Sequence, residues 1–293
     1  MAERAAPVAR LLPDGRRLHL QHGPIDLVVE AWGRPDEIGS AYRQAVQRFG
    51  DVLGALVSEL AVLRSPVGAF PPRLEGPVAR RMAAAVWPYR RVFITPMAAV
   101  AGAVADEMLQ AMLEGRDLQK AYVNDGGDIA LHLSPQHSLR AAMVANSDMP
   151  SLDGFAAIEF ASPVRGIATS GWRGRSFSRG IADAVTVLAA TAAAADAAAT
   201  IIANEVNVEH AAIERAPANS LRDETDLGDL PVTVAVGSLP TILREQALSR
   251  GAAKARALRR AGLIEGAAIS LQGGWRIIDT GIHPAALPES VSG

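Results

Sequence analysis

An alanine-rich segment in the middle of the chain restricts the fold more than any other feature of the sequence. Residues 191–200 contain seven alanines around one acidic residue, Asp196. Because alanine is the strongest helix former and its side chain is small, the run predicts a helix that packs closely against its neighbours. Thr191 stands where an N-cap hydroxyl belongs, and the β-like stretch 183–189 leads into it. We therefore expect a buried strand–helix unit here.

The acidic side chain within this helix needs a partner, since a carboxylate among buried alanines is costly unless something pairs with it. Asp196, Thr200 and Asn204 are four residues apart and therefore line one face of the helix. A hard cation such as Mg²⁺ would satisfy the carboxylate, because it takes oxygen ligands and often bridges few carboxylates to phosphates. An arginine or backbone amides would also satisfy it, and the sequence leaves these partners open.

A pair of glycines forms a second candidate site element. Residues 121–128 read Ala-Tyr-Val-Asn-Asp-Gly-Gly-Asp. Adjacent glycines at a strand end let the backbone approach a ligand and leave amides that can bind an anion. The same composition is common in hairpin turns, which is the alternative interpretation. The candidate nucleotide contacts in this segment are Asn124, Asp125, Gly126, Gly127 and Asp128.

A loop rich in hydrogen-bond donors is the third element. Residues 168–180 contain four small hydroxyl residues, three glycines, three arginines and two aromatic residues. Arginine forks match phosphate oxygens in geometry, and hydroxyls or amides can complete such an anion site. A solvated basic loop would have the same composition. The candidate nucleotide contacts in this loop are Thr169, Ser170, Gly171, Arg173 and Arg175.

Composition excludes several functional classes. The chain of 293 residues has a net charge of −2, so it has no long-range field that attracts nucleic acid or anionic lipid. It contains no cysteine, which rules out disulfides, thiolate metal sites and cysteine nucleophiles. No Walker loop, HExxH or GxSxG signature occurs, and the six histidines show no ligand spacing. We expect a cytoplasmic protein that binds a small-molecule nucleotide, with neither nucleic acid nor membrane as a partner.

Strand and helix patterns mix without a strict βαβ rhythm, which favours an α+β fold over a doubly wound sheet. Helices are predicted at 42–63, 95–115, 191–204 and 239–261. Strands are predicted at 25–32, 121–123, 129–133, 156–160, 166–169, 183–189, 230–236, 267–272 and 275–278. No linker divides the chain, so residues 1–293 are interpreted as one domain with two lobes, and 1–15 and 284–293 as flexible tails. A homodimer is compatible with these features.

The three elements resemble, in their order and spacing, those of the ApbE family of FAD:protein FMN transferases. That family has a glycine-pair segment after a strand, then a T-S-G element, then an A-D-x-x-x-T helix. The corresponding segments here are 123–128, 169–171 and 195–200. Upstream, 102–106 is similar to the family's K-G-x-x-x-D helix.

A shorter relative, uncharacterised protein family 0280, is similar over more of the chain. Segments 21–26, 96–102 and 263–268 carry this likeness. The resemblance implies an ApbE-like, T-fold-like α+β architecture with two lobes and a ligand cleft between them.

The resemblance also implies roles for individual residues. In ApbE enzymes the aspartate and threonine of the A-D-x-x-x-T element bind Mg²⁺ together with a backbone carbonyl of the K-G helix, which corresponds to Asp196, Thr200 and Val100. The glycine pair and the T-S-G element approach the flavin nucleotide, FAD or FMN. The reaction cleaves the FAD pyrophosphate and moves FMN to a protein threonine, and Mg²⁺ would neutralise charge on the phosphates.

The chain departs from the family pattern at two places. The lysine of the K-G helix is replaced by Ala101. The H-x-x-D-P segment is missing, and Gly180, Asp183 and Ala184 stand at its three defined positions. Asp183 and Arg179 are therefore the candidate catalytic residues, because an arginine could replace contacts of the absent histidine.

Two classes of function follow from this comparison. The first is a Mg²⁺-dependent enzyme for FMN transfer or nucleotide pyrophosphate cleavage. The second is a nucleotide- or pterin-binding protein that keeps the fold without FMN transferase activity.

Overall fold

The computed structural model of the chain describes residues 6–143, 154–278 and 282–284. The strands are β1 Val8–Leu11, β2 Leu18–His22, β3 Ile25–Gly33, β4 Leu118–Asp125, β5 Asp128–Leu133, β6 Ser138–Met143, β7 Gly154–Glu159, β8 Gly166–Ser170, β9 Ala184–Ala189, β10 Ile213–Pro217, β11 Pro231–Val236, β12 Gly266–Leu271, β13 Gly274–Ile278 and β14 Ile282–Pro284. The helices are α1 Pro35–Ser58, α2 Leu60–Leu63, α3 Pro77–Val86, α4 Val100–Leu113, α5 Ala192–Glu205, α6 Ala218–Leu221 and α7 Thr241–Arg260. Short 3-10 helices span Trp87–Tyr89 and Pro96–Ala99.

A nine-stranded sheet connects most of these elements, in the order β1-β2-β3-β4-β5-β8-β9-β12-β13, with antiparallel neighbours. Its two halves repeat one order of elements. The first half runs β2–β3, α1 and α4, then β4–β5, and the second runs β8–β9, α5 and α7, then β12–β13. The predicted α+β class and two-lobed, T-fold-like architecture are thereby confirmed.

Each half has its own hydrophobic core beneath its long helices. Leu27, Phe49 and Met108 belong to the core of the first half. Val187 and Ile202 belong to the core of the second half. A third core lies between the sheet and the three-stranded sheet β14-β7-β6. The site described below lies where the two halves meet, between β5 and β8.

The helix predicted from the alanine run is confirmed as α5. The Thr191 hydroxyl accepts a hydrogen bond from the amide of Ala194 at 3.2 Å, as expected for an N-cap. Two glycines let neighbouring backbones approach the first turn of this helix. A Cβ at Gly102 of α4 would lie 2.3 Å from the carbonyl oxygen of Ala192, and one at Gly166 of β8 would lie 2.0 Å from the carbonyl carbon of Thr191. These contacts position α5 against both halves of the sheet.

The N-terminal segment differs from the expectation of a flexible tail over 1–15. Val8–Leu11 forms β1 and pairs with β2, although its four side chains are exposed. Residues 285–293 of the expected C-terminal tail lie outside the described residues, and Pro284 ends β14. The assignment of residues 1–293 to one domain stays a prediction. Among the helices described, none is long and apolar enough to span a membrane.

Candidate metal and nucleotide site

An aspartate of α4 caps the alanine-rich helix. Asp106 accepts hydrogen bonds from the amides of Ala192 at 3.0 Å and Ala193 at 2.9 Å. Burial raises the pKa of Asp106, and the two amides oppose that shift. A carboxylate at a helix N-terminus is favourable, so Asp106 fixes α5 relative to α4.

The N-terminal end of α4 points at the carboxylate of Asp196. The amide of Gly102 donates to Oδ2 of Asp196 at 3.1 Å, and the amide of Ala101 also lies against this carboxylate. Val100, the carbonyl ligand implied by the resemblance, is the first residue of α4 and directly precedes both amides. Backbone donors therefore satisfy part of Asp196, which was one of the alternatives left open by the sequence.

Asp128 joins Asp196 to the other two candidate segments. The side chains of Asp128 and Asp196 lie against each other, and the amide of Thr169 donates to Oδ1 of Asp128 at 3.1 Å. Asp128 begins β5, directly after the glycine pair, and Thr169 lies in β8. The structure thus brings together the end of the glycine segment, the T-S-G element and the face of α5.

Three acidic side chains share this environment. Burial raises the pKa of Asp196 well above its usual value, and the charges of Asp128 and Asp125 raise it further. Burial also raises the pKa of Asp128, against the amide of Thr169. Burial together with the nearby charge of Asp128 raises the pKa of Asp125 to about 7, although Arg175 opposes the shift. Asp128 and Asp196 are half-buried as whole residues.

The glycine pair forms the hairpin turn between β4 and β5. Gly126 and Gly127 have φ values of 64° and 115°, which favour glycine. The amide of Gly127 donates to the Asn124 side chain at 2.8 Å. The turn interpretation is therefore confirmed, and contact of this segment with a nucleotide stays a prediction. Arg175 lies over the turn, since a Cβ at Gly126 would be 3.7 Å from its Nη1.

Asp183 and Arg173 form a separate network. The Nε of Arg173 donates to Oδ1 of Asp183 at 3.0 Å, and the indole N–H of Trp172 donates to the same oxygen at 3.3 Å. The amide of Gln272 donates to the other carboxylate oxygen. These contacts give Asp183 a structural role linking the 172–173 loop to the β12–β13 turn.

The other two residues of the T-S-G element are held by β9. Ser170 pairs with Val185 in the sheet. A Cβ at Gly171 would lie 2.4 Å from the carbonyl oxygen of Asp183, so glycine is required there by close packing.

Thr200 and Arg179 line a small cavity of about 40 Å³ beside α5. Asp196 does not line this cavity. Sequence reasoning missed Asp226, which lines the cavity with them, because no spacing pattern connects it to α5.

The resemblance implies a metal ion at this site. In the part of the chain that the structure describes, no group of three or more histidine, aspartate or glutamate side chains is arranged to hold a metal ion. The adjacent carboxylates Asp128 and Asp196 nevertheless fit a Mg²⁺ ion that takes its remaining oxygens from backbone, water or phosphate.

The family assignment follows from comparison with family models. The model of the family described as "AbpE bacteria" matches residues 9–277. The chain belongs to this family.

Curated relatives of this AbpE-family chain include UPF0280 proteins. The chain is 37% identical to a UPF0280 protein of Methanothermobacter thermautotrophicus over 134 residues, which cover 45% of this chain and 50% of the relative. It is 41% identical to a UPF0280 protein of Methanothrix thermoacetophila over 118 residues, which cover 39% of this chain and 46% of the relative. The matched region thus spans about half the length of these curated relatives.

Solved structures similar to this family member include two ApbE proteins. The flavin transferase ApbE of Vibrio cholerae aligns with a TM-score of 0.49 at 12% identity, covering 96% of each chain. The ApbE protein of Thermotoga maritima aligns with a TM-score of 0.48 at 12% identity, covering 93% of this chain and 96% of that chain.

Proposed function

We propose that this AbpE-family protein binds a flavin nucleotide, FAD or FMN, in a Mg²⁺-dependent manner at the meeting point of its two halves. The observation that carries the proposal is the pair Asp128 and Asp196. Their carboxylates are adjacent, and among the described residues no lysine or arginine forms an ion pair or hydrogen bond with either. Two carboxylates in this position need protons or a cation.

A Mg²⁺ ion would supply the positive charge that the two carboxylates need. It is commonly held in proteins by one or two carboxylates, with ligand phosphates completing its coordination. Asp128 and Asp196 would hold the ion, and the resemblance adds Thr200 and the carbonyl of Val100. When bound, Mg²⁺ neutralises charge on the phosphates of the nucleotide.

The rim of the site provides groups for the phosphates. Arg175 is exposed and lies beside the Gly126 turn, close to Asp125. An arginine fork suits phosphate oxygens, whereas Arg173 is engaged with Asp183. Arg175 is therefore the arginine of this loop that we assign to phosphate contact.

Addition of Mg²⁺ is expected to increase the stabilisation of the protein by FAD. FAD at 100 times its dissociation constant should raise the free energy of unfolding by about 2.7 kcal/mol with Mg²⁺. In EDTA the shift should be much smaller, because phosphates would face two unneutralised carboxylates. Thermal unfolding measures both values.

Matched variants separate the site from general charge effects. Asp128→Asn should remove most of the Mg²⁺ dependence. Asp51→Asn, which changes an exposed acid on α1, should leave it intact. Equal FAD-induced shifts with Mg²⁺ and with EDTA in the wild-type protein would refute the proposed function.

Binding without FMN transfer is favoured over transfer by the surroundings of Gly180. The resemblance places this residue where ApbE enzymes have a histidine, but a Cβ at Gly180 would lie 1.9 Å from the carbonyl oxygen of Ala203. No side chain fits there without a shift of backbone. The absent histidine is therefore not replaced by a residue at the same place.

We accordingly expect the wild-type protein to bind FAD with Mg²⁺ without releasing AMP. The measurement is chromatography of FAD incubated with the protein, Mg²⁺ and a mixture of threonine-containing peptides. AMP formed together with flavin-labelled peptide would show that transfer occurs, and AMP with free FMN would show pyrophosphate cleavage.

A further inference from the structure

We infer that the small cavity beside α5 binds the hydrogen-bonding edge of a flat heterocycle, with Arg179 donating to a ring carbonyl oxygen and Asp226 accepting from a ring N–H. The inference rests on the proposed function and deepens it, because it says which part of the nucleotide lies away from the carboxylate pair.

Arg179 supplies a donor that lacks a partner. Its Nε is buried but forms no hydrogen bond with any residue the structure describes. Buried polar groups are nearly always hydrogen-bonded, and Arg179 lines the cavity, so an acceptor from a ligand there would satisfy its guanidinium. The backbone around it is fixed, since the amide of Arg179 donates to Oδ1 of Asn204 at 2.9 Å.

Asp226 supplies the complementary acceptor. The Thr95 hydroxyl donates to Oδ2 of Asp226, and within the described ranges no donor reaches its other oxygen, Oδ1. Arg179 and Asp226 line the same cavity, yet they are absent from the ion pairs found among described side chains. Their opposite charges make the cavity nearly neutral, which disfavours a bare phosphate. A neutral group with an acceptor beside a donor, such as a ring imide, satisfies both.

The remaining walls suit a flat ring. Phe93 and Phe177 line the cavity together with aliphatic side chains. The guanidinium of Arg222 lies 4.9 Å from the centroid of the Phe177 ring, which holds that ring in place. A cavity of about 40 Å³ admits only the edge of a ring. The rest of the ligand must therefore extend out of the cavity.

The position of the cavity on α5 gives the direction of that extension. Thr200 lines the cavity and lies four residues, about 6 Å along the axis, beyond Asp196. A heterocycle edge held by Arg179 and Asp226 would thus lie within a few helical turns of a cation on the carboxylate pair. A flavin nucleotide, whose ring imide and phosphates are joined by a short chain, has both groups.

The test compares FAD with its N3-methylated analogue, which lacks the imide N–H, in the presence of Mg²⁺. We expect N3-methylation to weaken binding to the wild-type protein about tenfold or more, since Asp226 loses its donor. In Asp226→Ala, which has no side-chain acceptor, FAD should bind more weakly and the methylation penalty should disappear. Arg179→Gln should weaken FAD binding with the penalty retained. Flavin fluorescence titration measures each dissociation constant.

Arg256→Gln, a change at an exposed arginine of α7, is the control and should match the wild type. Because Asp226 also contacts Thr95, thermal unfolding of each variant establishes that it is folded, and Arg179→Gln tests the cavity without that contact. If the wild type binds FAD but N3-methylation and both cavity variants leave affinity unchanged, this inference is overturned while the proposed function stands. If the wild type binds neither flavin with Mg²⁺, both are overturned.

Discussion

A histidine at position 180 is expected to unfold the protein instead of giving it FMN transferase activity. The backbone of Gly180 packs on the last part of α5, where a Cβ would lie 1.9 Å from the carbonyl oxygen of Ala203. Ala203 is fully buried, so α5 cannot move aside without disturbing its core. We expect Gly180→His and Gly180→Ala to lower the free energy of unfolding by about 3 kcal/mol or more. Urea unfolding measures this loss.

Gly54→Ala is the matched control for these substitutions. Gly54 is an exposed residue within α1, and nothing lies within 4 Å of a Cβ placed there. Alanine is the better helix former, so this variant should gain up to about 1 kcal/mol. A Gly180→Ala protein that unfolds at the same urea concentration as the wild type would show that position 180 has room for a side chain. The case against FMN transfer would then lose its support.

Replacing Asp196 with asparagine is expected to stabilise the metal-free protein at pH 8 while abolishing its response to Mg²⁺. Asp196 has a pKa in the folded state that burial raises above the value of 3.8 expected in the unfolded chain. As pH rises above about 4, the unfolded chain therefore loses its proton more readily than the folded one, and the free energy of unfolding falls. The pKa of Asp125 is raised to about 7, so this residue also lowers the free energy of unfolding as pH rises. Much of that decrease should fall between about pH 4 and 7.

The asparagine keeps an acceptor for the amide of Gly102 but carries no charge. We therefore expect Asp196→Asn to have a higher free energy of unfolding than the wild type at pH 8 in EDTA, and this difference to vanish near pH 4. In saturating Mg²⁺ and FAD together, the wild type should become more stable than Asp196→Asn. Urea unfolding across this pH range provides the measurement, with Asp51→Asn as a control for surface charge. Equal stability of variant and wild type at pH 8 without metal would show that the three carboxylates do not repel one another in the folded state.

The sequence predicted those parts of the fold that local signals determine. The alanine run and its Thr191 cap define α5 without help from distant residues. The glycine pair defines the β4–β5 turn in the same way, because only a residue tolerant of positive φ suits it.

Elements without a strong local pattern were missed. The side chains of β1 are all exposed, so no alternation of apolar and polar residues identifies it. α3 begins at Pro77, a position where proline is favourable, and none of the predicted helices covers it.

The site was predicted less completely because its geometry depends on register and pairing. The residue types of Asp128 and Asp196 are visible in the sequence, but their contact depends on β5 pairing with β8 and on glycine at the crossing of α4 with α5. The partners of the arginines could not be predicted from the sequence either. Arg173 and Arg179 belong to one donor-rich loop, yet the first is engaged with Asp183 and the second has an unpartnered N–H.

The pairing of β5 with β8, which joins the two halves of the sheet, is short, and this affects the dynamics of the protein. Over the described residues, β5 and β8 share only two register pairs, Ile129 with Ile167 and Ala130 with Gly166. Asp128 lies in β5 of the first half, and Asp196 lies in α5 of the second half. A cation that binds both residues would link the two halves of the sheet. Binding of the cation should therefore slow amide hydrogen exchange in β5 and β8 together.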